Sequence, residues 1–243
     1  MFTLLKKEVN GFFSSITGYI VIIVFLIVNS LLIWIFPGNY NVLDGGYATL
    51  DSLFSLSPWI FLFLVPAVTM RMFADEKRSG TIELLLTRPL SDFQIIFAKY
   101  LAALVLVLFS LLPTLIYFYS IYQLGNPVGN IDTGGTWGSY IGLFFLAAIY
   151  VSIGLLASSF TDNQIVAFII GMLFCFVAFI GFDFMGELPL FHAVKALIIN
   201  LGINEHYQSM SRGVIDSRDV IYFISVIAFF LLTTKTVLQS RKW

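Results

Sequence analysis

Six long apolar runs, each close to the length of a membrane-spanning helix, dominate this sequence of 243 residues. About 20 apolar residues in helical form cross the roughly 30 Å of hydrocarbon in a bilayer. The composition agrees, because 59% of the residues are hydrophobic and 11% are charged, against roughly 45–50% and about 25% in soluble domains. The sequence therefore predicts an all-α polytopic membrane protein with six transmembrane helices, at 16–36, 53–70, 101–122, 140–160, 165–182 and 220–234.

The basic residues divide unevenly between the segments that join these runs. An excess of Lys and Arg marks cytoplasmic loops. With the N-terminus placed inside, ten of the 13 basic residues fall on the cytoplasmic side, and both termini are predicted to be cytoplasmic. The first run is expected to be retained as a span, because it is longer than a signal-peptide core and no small-residue cleavage site follows it. The residues placed inside are Lys6, Lys7, Arg71, Lys77, Arg78, Arg88, Lys99, Lys235, Arg241 and Lys242.

Two segments outside the spans carry apolar side chains of their own. Residues 1–15 mix Leu, Val and Phe with Lys6, Lys7 and Glu8, a pattern typical of an amphipathic helix in the membrane interface. Residues 183–219 form the longest outer segment, and its apolar middle predicts a partly inserted outer helix. The histidines of this segment, His192 and His206, have no cysteine partner nearby. They are interpreted as surface residues rather than metal ligands.

One charged stretch, residues 71–99, separates the second and third runs and cannot lie in hydrocarbon. It holds five of the 13 basic and four of the 14 acidic residues. Gly80 is expected to end the helix that enters this stretch. Thr81 is expected to cap a second short helix, with Glu83 in its first turn, where a negative charge suits the helix dipole. Because Pro89 stops that helix, the stretch is predicted to be a structured loop at the membrane surface.

The second short helix has an apolar face. Ile82, Leu85 and Leu86 fall on one side of it. Ser91 and Gln94 then form a capping box that starts the next helix. An apolar face on a short charged loop is expected to pack against another apolar surface. The sequence leaves two alternatives open for that surface, the bilayer and another protein.

Residues that carry chemistry are scarce. There is no G-x-x-x-x-G-K-[ST] motif, so any ATPase must be another chain. No acid–base pair is visible inside the spans, and Arg71 and Asp183 are expected to act as anchors at span ends. The net charge of −1 gives no sign of nucleic-acid binding. The sequence thus predicts no enzyme, cofactor or metal site, and Gly138 and Gly142 supply one G-x-x-x-G motif for helix packing.

The charged stretch also carries a family resemblance. Glu76, residues 78–83, Pro89 and Lys99 resemble the signature of ABC-2 type transporter permeases. The start at 4–15 and the turn at 156–164 extend the resemblance over essentially the whole chain. In that family the loop between the second and third membrane helices carries a cytoplasmic coupling helix, which docks onto an ATP-binding subunit. The resemblance therefore implies docking by Glu76, Arg78, Gly80, Thr81, Ile82, Glu83, Leu85, Leu86, Arg88 and Pro89.

The resemblance also implies an organisation and a set of partners. The chain would be one transmembrane domain over 1–243 in the cell inner membrane, with re-entrant or surface helices between helices 5 and 6. ATP would be bound by a separate subunit. A second permease subunit, identical or different, and an auxiliary membrane subunit with an extracytoplasmic domain would complete the complex. Most narrowly, the chain resembles permease subunits of the gliding-motility ABC complex of Bacteroidota.

Two functions remain open from the sequence. In the first, ATP hydrolysis by the partner drives export of a lipid-like or polymeric substrate. In the second, the chain passes ATP-driven motion to an extracytoplasmic partner and nothing is transported. Few polar residues lie inside the spans, which argues against a wide hydrophilic pore but not against either function. They are Asn29, Thr69, Ser110, Thr114 and Ser152.

Overall fold

The structure is a computed structural model, and it describes residues 1–81, 91–189 and 194–240. Within those ranges every regular element is helical and no strand occurs. The same residues contain six helices long and apolar enough to cross a membrane, which confirms the predicted all-α architecture. Numbered in chain order as spans 1 to 6, they are Ile16–Ile35, Asp51–Arg78, Asp92–Leu124, Thr133–Phe160, Gln164–Glu187 and Ser217–Gln239.

The individual helices are labelled along the chain. Helix α1 is Phe2–Phe13. Span 1 consists of α2 (Ile16–Ser30) and a π-helical turn (Leu31–Ile35), and the short helix α3 (Val42–Gly45) follows it. Span 2 is α4 (Asp51–Thr69) and α5 (Arg71–Arg78); span 3 is α6 (Asp92–Leu111), a 3-10 turn (Leu112–Thr114) and α7 (Leu115–Leu124); span 4 is α8 (Thr133–Phe160). Span 5 is α9 (Gln164–Phe176), a π-helical turn (Val177–Gly181) and α10 (Phe182–Glu187); α11 (Lys195–Ile199) and α12 (Ile203–Ser211) precede span 6, α13 (Ser217–Gln239).

The spans are longer than the apolar runs that predict them. Span 2 continues through the charged residues as far as Arg78, and span 3 begins at Asp92. Residues 71–78 and 92–99 of the predicted loop are therefore helical and continuous with spans 2 and 3. The second short helix predicted from the sequence falls in 82–90, which lies outside the described residues.

Helix α8 lies at the centre of the bundle. It packs against α4, α6, α9, α12 and α13, and Tyr150 at its middle is completely buried. A helix that is apolar on all sides, as α8 is, suits a central position. Lipid is as apolar as leucine, so close packing rather than water exclusion holds such helices together. Small residues on α8, among them Ala147 and Ala157, permit that close packing.

Glycines mark the points where α8 approaches its neighbours most closely. A Cβ atom at Gly154 would overlap Thr69 Oγ1 on α4. The predicted G-x-x-x-G motif also serves packing, although its partner is not another span. A Cβ at Gly138 would lie 2.7 Å from Gly213 Cα, and one at Gly142 would lie 2.8 Å from Met210 Cβ. The motif therefore allows the end of α12 and the residues just after it to pack closely against span 4.

Adding one methyl group at the α4–α8 contact is expected to destabilise the bundle. Thr69 Oγ1 donates to Val65 O at 3.0 Å, so it cannot yield without losing that bond. We expect Gly154→Ala to lower the free energy of unfolding by about 1–3 kcal/mol, measured as the thermal midpoint of the detergent-purified protein. The control is Gly171→Ala on α9, where an added Cβ would meet its nearest neighbours at 3.4 Å. Equal midpoints for the two variants would contradict this packing.

The segment between spans 5 and 6 folds into short helices, and His206 is more enclosed than a surface residue, because its side chain is 18% exposed. Its Nδ1 lies 2.7 Å from Asp219 Oδ1, and its Nε2 lies 2.9 Å from Asn200 O. Its ring stacks on Tyr222 with centroids 3.8 Å apart. His206 therefore ties α12 to span 6. The other histidine, His192, lies outside the described residues.

Candidate coupling site

The residues predicted to dock the ATP-binding subunit are only partly described by the structure. Glu76 and Arg78 lie on α5, and Gly80 and Thr81 follow it directly. The remaining predicted site residues lie outside the described residues: Ile82, Glu83, Leu85, Leu86, Arg88 and Pro89. The candidate site can therefore be built from α5, from the start of α6 and from the helices that hold them.

Helix α5 ends as the sequence predicts. Gly80 adopts φ +68°, a left-handed conformation that glycine tolerates best. A Cβ at this position would meet no atom within 4 Å, so the backbone angle alone explains the residue. Ser79 Oγ donates to Asp75 O at 2.7 Å, and Thr81 Oγ1 donates to Glu76 O at 3.4 Å. These bonds satisfy carbonyl groups that the end of the helix leaves free.

The start of α5 is capped by a residue distant in the sequence. One turn residue, Met70, which keeps helical backbone angles, lies between α4 and α5, and the first N–H groups of a helix have no partner within it. Ser158 Oγ on α8 accepts from Phe73 N at 3.0 Å and from Ala74 N at 3.1 Å, and it donates to Met70 O at 2.8 Å. Ser158 thus supplies from span 4 the cap that no residue near Met70 supplies.

Removing this hydroxyl is expected to loosen α5. Phe73 and Ala74 are buried, so in Ser158→Ala their N–H groups lose an acceptor that water cannot readily replace. We expect a loss of about 1–3 kcal/mol in the free energy of unfolding, and faster amide hydrogen exchange in α5. Ser152→Ala is the matched control on the same helix, because among the described residues Ser152 Oγ donates only to Ile149 O, within its own helix. Unchanged exchange in α5 would show that Ser158 does not hold it.

A buried ion-pair cluster joins α5 to two other helices. Lys99 Nζ on α6 lies 2.8 Å from Glu76 Oε1 on α5 and 3.1 Å from Glu8 Oε1 on α1. The Lys99 side chain is fully buried, and each carboxylate side chain is 14% exposed. The ammonium group also lies 5.3 Å from the centre of the Phe73 ring, close enough for a cation–π contact. The cluster lies outside the apolar runs 53–70 and 101–122, in residues whose pairing the sequence does not predict.

The sequence around Lys99 carries a signal for its burial. Residues three and four positions away on a helix share its face. For Lys99 these are Ile95, Ile96, Ala102 and Ala103, all apolar and all buried in the structure. A lysine on the apolar face of a span requires a carboxylate partner. The sequence spacing does not identify Glu8, which lies 91 positions away.

Further hydrogen bonds hold α5 against the neighbouring spans. Arg71 was expected to anchor span 2 at the interface, and its guanidinium donates to Thr17 Oγ1 at 2.9 Å and to Ser15 Oγ at 3.0 Å, at the start of span 1. Lys77 donates to Ser159 O on span 4, and Gln164 Nε2 on span 5 donates to Asp75 Oδ1. Helix α5 is thus connected to spans 1, 3, 4 and 5.

The far side of the loop is also fixed. Ser91 Oγ accepts from Gln94 N at 3.3 Å, and Gln94 Oε1 accepts from Ser91 N at 3.1 Å. This is the capping box that the sequence predicts at the start of α6. Asp92 Oδ2 accepts from Gln239 Nε2 at 3.1 Å, which connects α6 to the end of span 6. The chain therefore leaves α5 and enters α6 at anchored points.

These contacts determine what the site can do. Its buried charged groups bind one another, and the described residues contain no group of three His, Cys, Asp or Glu side chains placed to hold a metal ion. Ion pairs, caps and helix contacts of this kind fix a position rather than perform a reaction. A displacement of the loop would be passed to α5 and α6, and from them to α1 and to spans 1, 4, 5 and 6.

Two comparisons place the chain among known proteins. The model of the family described as ABC-2 family transporter protein matches residues 58–201, more than half of the chain. A stretch of 109 residues is 34% identical to the protein of Bacillus subtilis (strain 168) named Uncharacterized protein YhcI. That match covers 45% of this chain and 32% of the relative, so the chain matches about a third of the relative's length.

Proposed function

The chain belongs to the ABC-2 family of transporter proteins, and on this premise we propose that it is the transmembrane permease subunit of an ABC transporter complex. It is a multi-pass membrane protein with six candidate spans among its described residues. A separate subunit binds and hydrolyses ATP, and a second permease subunit, identical or different, completes the membrane part. The loop between spans 2 and 3 docks the ATP-binding subunit through the residues predicted for that role.

The observation that carries this proposal is the anchoring of the loop at both ends. Glu76 on α5 and Glu8 on α1 share Lys99 on α6, and Ser158 on α8 caps α5. A force applied to a loop without anchored ends would deform the loop and would not move the helices. A force applied between α5 and α6 acts directly on the helices of the bundle, which is what a coupling element requires.

Several narrower features belong to the same proposal. Residues 71–99 contain the coupling loop on the cytoplasmic side, residues 1–15 lie in the interface on that side, and residues 183–219 face the opposite side. Both termini are cytoplasmic, and the membrane is the cell inner membrane. The resemblance to GldF, the gliding-motility permease subunit, supports a role in gliding motility, with an auxiliary membrane subunit that carries an extracytoplasmic domain.

The polar residues of the spans favour a second candidate function, transmission of force without transport. Each of the five polar residues noted in the sequence is at most 2% exposed. Each donates a hydrogen bond to a backbone carbonyl three or four residues earlier in the same span. None of the five therefore lines a polar path between two subunits. The residues are Asn29, Thr69, Ser110, Thr114 and Ser152.

The composition of the purified complex tests the proposed function. Affinity-tagged chain would be isolated from its native membranes and its complexes weighed by native mass spectrometry, with peptide identification of every subunit. We expect two membrane subunits with two ATP-binding subunits, because the chain has the family's membrane part and no nucleotide-binding motif. A stable complex with one ATP-binding chain per permease pair, or with none, would contradict the proposal.

A further inference from the structure

A cavity of about 640 Å³ opens at the end of the bundle opposite α5. It lies between the start of α4, the π-helical turn of span 5 and α12. Half of its lining residues are apolar or aromatic, among them Phe54, Trp59, Phe179 and Tyr207, and the other half are polar or charged. Its volume falls in the range of roughly 300–1,000 Å³ that is typical of small-molecule sites, in which polar groups fix the orientation of the ligand.

The aromatic walls are held rigidly. Phe179 packs edge-on against Trp59, with ring centroids 5.9 Å apart, and against Tyr150 at 6.2 Å. Tyr207 Oη donates to Phe54 O at 2.6 Å, so this hydroxyl is already used within the protein. Phe179 lies in the π-helical turn, a distortion that occurs frequently at functional sites. The cavity is therefore preformed rather than a gap between mobile side chains.

The rim of the cavity carries two opposite charges. Asp51 and Arg212 both line it, and both also line a smaller adjoining cavity of about 90 Å³. They form no ion pair with each other, and neither makes a side-chain hydrogen bond or ion pair with any residue in the described ranges. Elsewhere in the same ranges, exposed opposite charges at close range do pair, as Lys195 and Glu187 do at 3.2 Å. The rim thus presents one carboxylate and one guanidinium to a ligand.

The position of the cavity favours a molecule from the bilayer. Trp59 is 46% exposed on span 2, and tryptophan is enriched where the hydrocarbon meets the headgroups. Ile180, on span 5, most of which is exposed on the surface of the chain, is half-buried at the cavity wall. A ligand held here can therefore keep apolar chains in the membrane while its polar part lies between Asp51 and Arg212.

We propose that this cavity binds the headgroup of a zwitterionic phospholipid, with its phosphate on Arg212 and its ammonium group on Asp51. A guanidinium binds phosphate oxygens in a two-pronged geometry. The carboxylate gives the ammonium group a charge-assisted partner, and the aromatic wall covers the glycerol region and the first carbons of the acyl chains. Acyl chains that fill half of a hydrocarbon core of about 30 Å extend beyond the cavity into the bilayer.

This assignment predicts selectivity between lipids of similar shape. A phosphatidylethanolamine satisfies both rim charges, whereas a phosphatidylglycerol has a phosphate but no ammonium group and leaves Asp51 beside an anion. The inference goes beyond the proposed function, since it concerns binding at the end of the bundle remote from the coupling loop. It holds whether the lipid is moved or only bound.

The test measures lipid binding to the full chain in detergent by native mass spectrometry, with dioleoyl phosphatidylethanolamine and dioleoyl phosphatidylglycerol as probes. We expect Arg212→Gln to weaken binding of both lipids by about tenfold, the loss of one charge-assisted contact. Asp51→Asn should weaken the ethanolamine lipid by a similar factor and leave the glycerol lipid unchanged or tighter. The matched controls are Arg218→Gln and Glu205→Gln, which change the same charges near the cavity without lining it.

The possible outcomes distinguish headgroup binding in the cavity from non-specific binding of lipid to the surface of the chain. Equal weakening by the controls, or an Asp51→Asn variant that binds both lipids as the parent does, would overturn it. Loss of the glycerol lipid alone in Arg212→Gln would identify an anionic-lipid site instead and would also overturn it. A photo-crosslinking amino acid at Ser55, which is exposed at the cavity, should capture phosphatidylethanolamine in native membranes. Because binding is measured without nucleotide or partner, failure here leaves the proposed ATP coupling untouched.

Discussion

Lys99→Met is expected to lower the free energy of unfolding by about 3–5 kcal/mol, the range found when one partner of a buried ion pair is removed. Among the described residues, Lys99 is the one basic residue that pairs with both Glu8 and Glu76, at 3.1 Å and 2.8 Å. Methionine preserves most of the side-chain volume, so the loss arises from the charge. The two carboxylates then repel each other while largely cut off from water. The thermal midpoint of the detergent-purified protein measures the effect.

A compensating variant separates charge from packing. In the triple variant Lys99→Met, Glu8→Gln and Glu76→Gln no charge remains in this cluster, and replacing a complete buried ion pair is often nearly neutral. We expect it to recover most of the lost stability. Lys195→Met removes an ion pair of similar length, 3.2 Å, whose side chains are 41% and 73% exposed. Exposed pairs contribute about 0–1 kcal/mol, so this control should melt close to the parent protein.

If Lys99→Met melts with the parent protein, the cluster does not hold α1 and α5 to span 3. The loop between spans 2 and 3 would then be held by the remaining contacts of α5 and α6, which are those of Ser158, Arg71, Lys77, Asp75 and Asp92. If the triple variant melts no higher than the single one, the loss comes from packing and not from unpaired charge.

The sequence predicts the spans well because hydrophobicity over about 20 residues is a local property. The capping box at Ser91 and Gln94 and the stop at Gly80 are local for the same reason, and both are confirmed. The partners of the charges on α5 are distant in the sequence, as Lys99 is for Glu76 and Gln164 is for Asp75, and the sequence does not identify them.

The contacts that make the candidate site could not be predicted in the same way. Ser158 looks like an ordinary small residue inside a span, and only the approach of α5 to α8 turns it into a cap. Glu8 looks like the polar side of an interfacial helix until α6 brings Lys99 against it. The lipid cavity depends on Asp51 and Arg212, which are 161 positions apart in the sequence. Such pairs are set by how the helices pack.

The second large effect concerns the apolar face of the loop. Leu85→Asp is expected to reduce recovery of the ATP-binding subunit by at least about tenfold, because apolar anchors at the centre of an interface contribute most of its affinity. An aspartate there would be buried without a partner. Arg88→Ala removes a charge predicted for the rim of the same contact, where charges contribute little affinity. We expect it to change recovery by less than about threefold.

The pull-down of the ATP-binding subunit with these two variants tests the central claim most directly. Membrane levels of the chain are measured alongside, so that a loss of partner is not confused with a loss of permease. The account predicts that Leu85→Asp reaches the membrane normally, loses the ATP-binding subunit and loses coupled ATPase activity, while Arg88→Ala retains both. If Leu85→Asp instead recovers the partner at the normal level with normal coupled ATPase activity, the loop between spans 2 and 3 is not the coupling element, and the proposed mechanism is wrong.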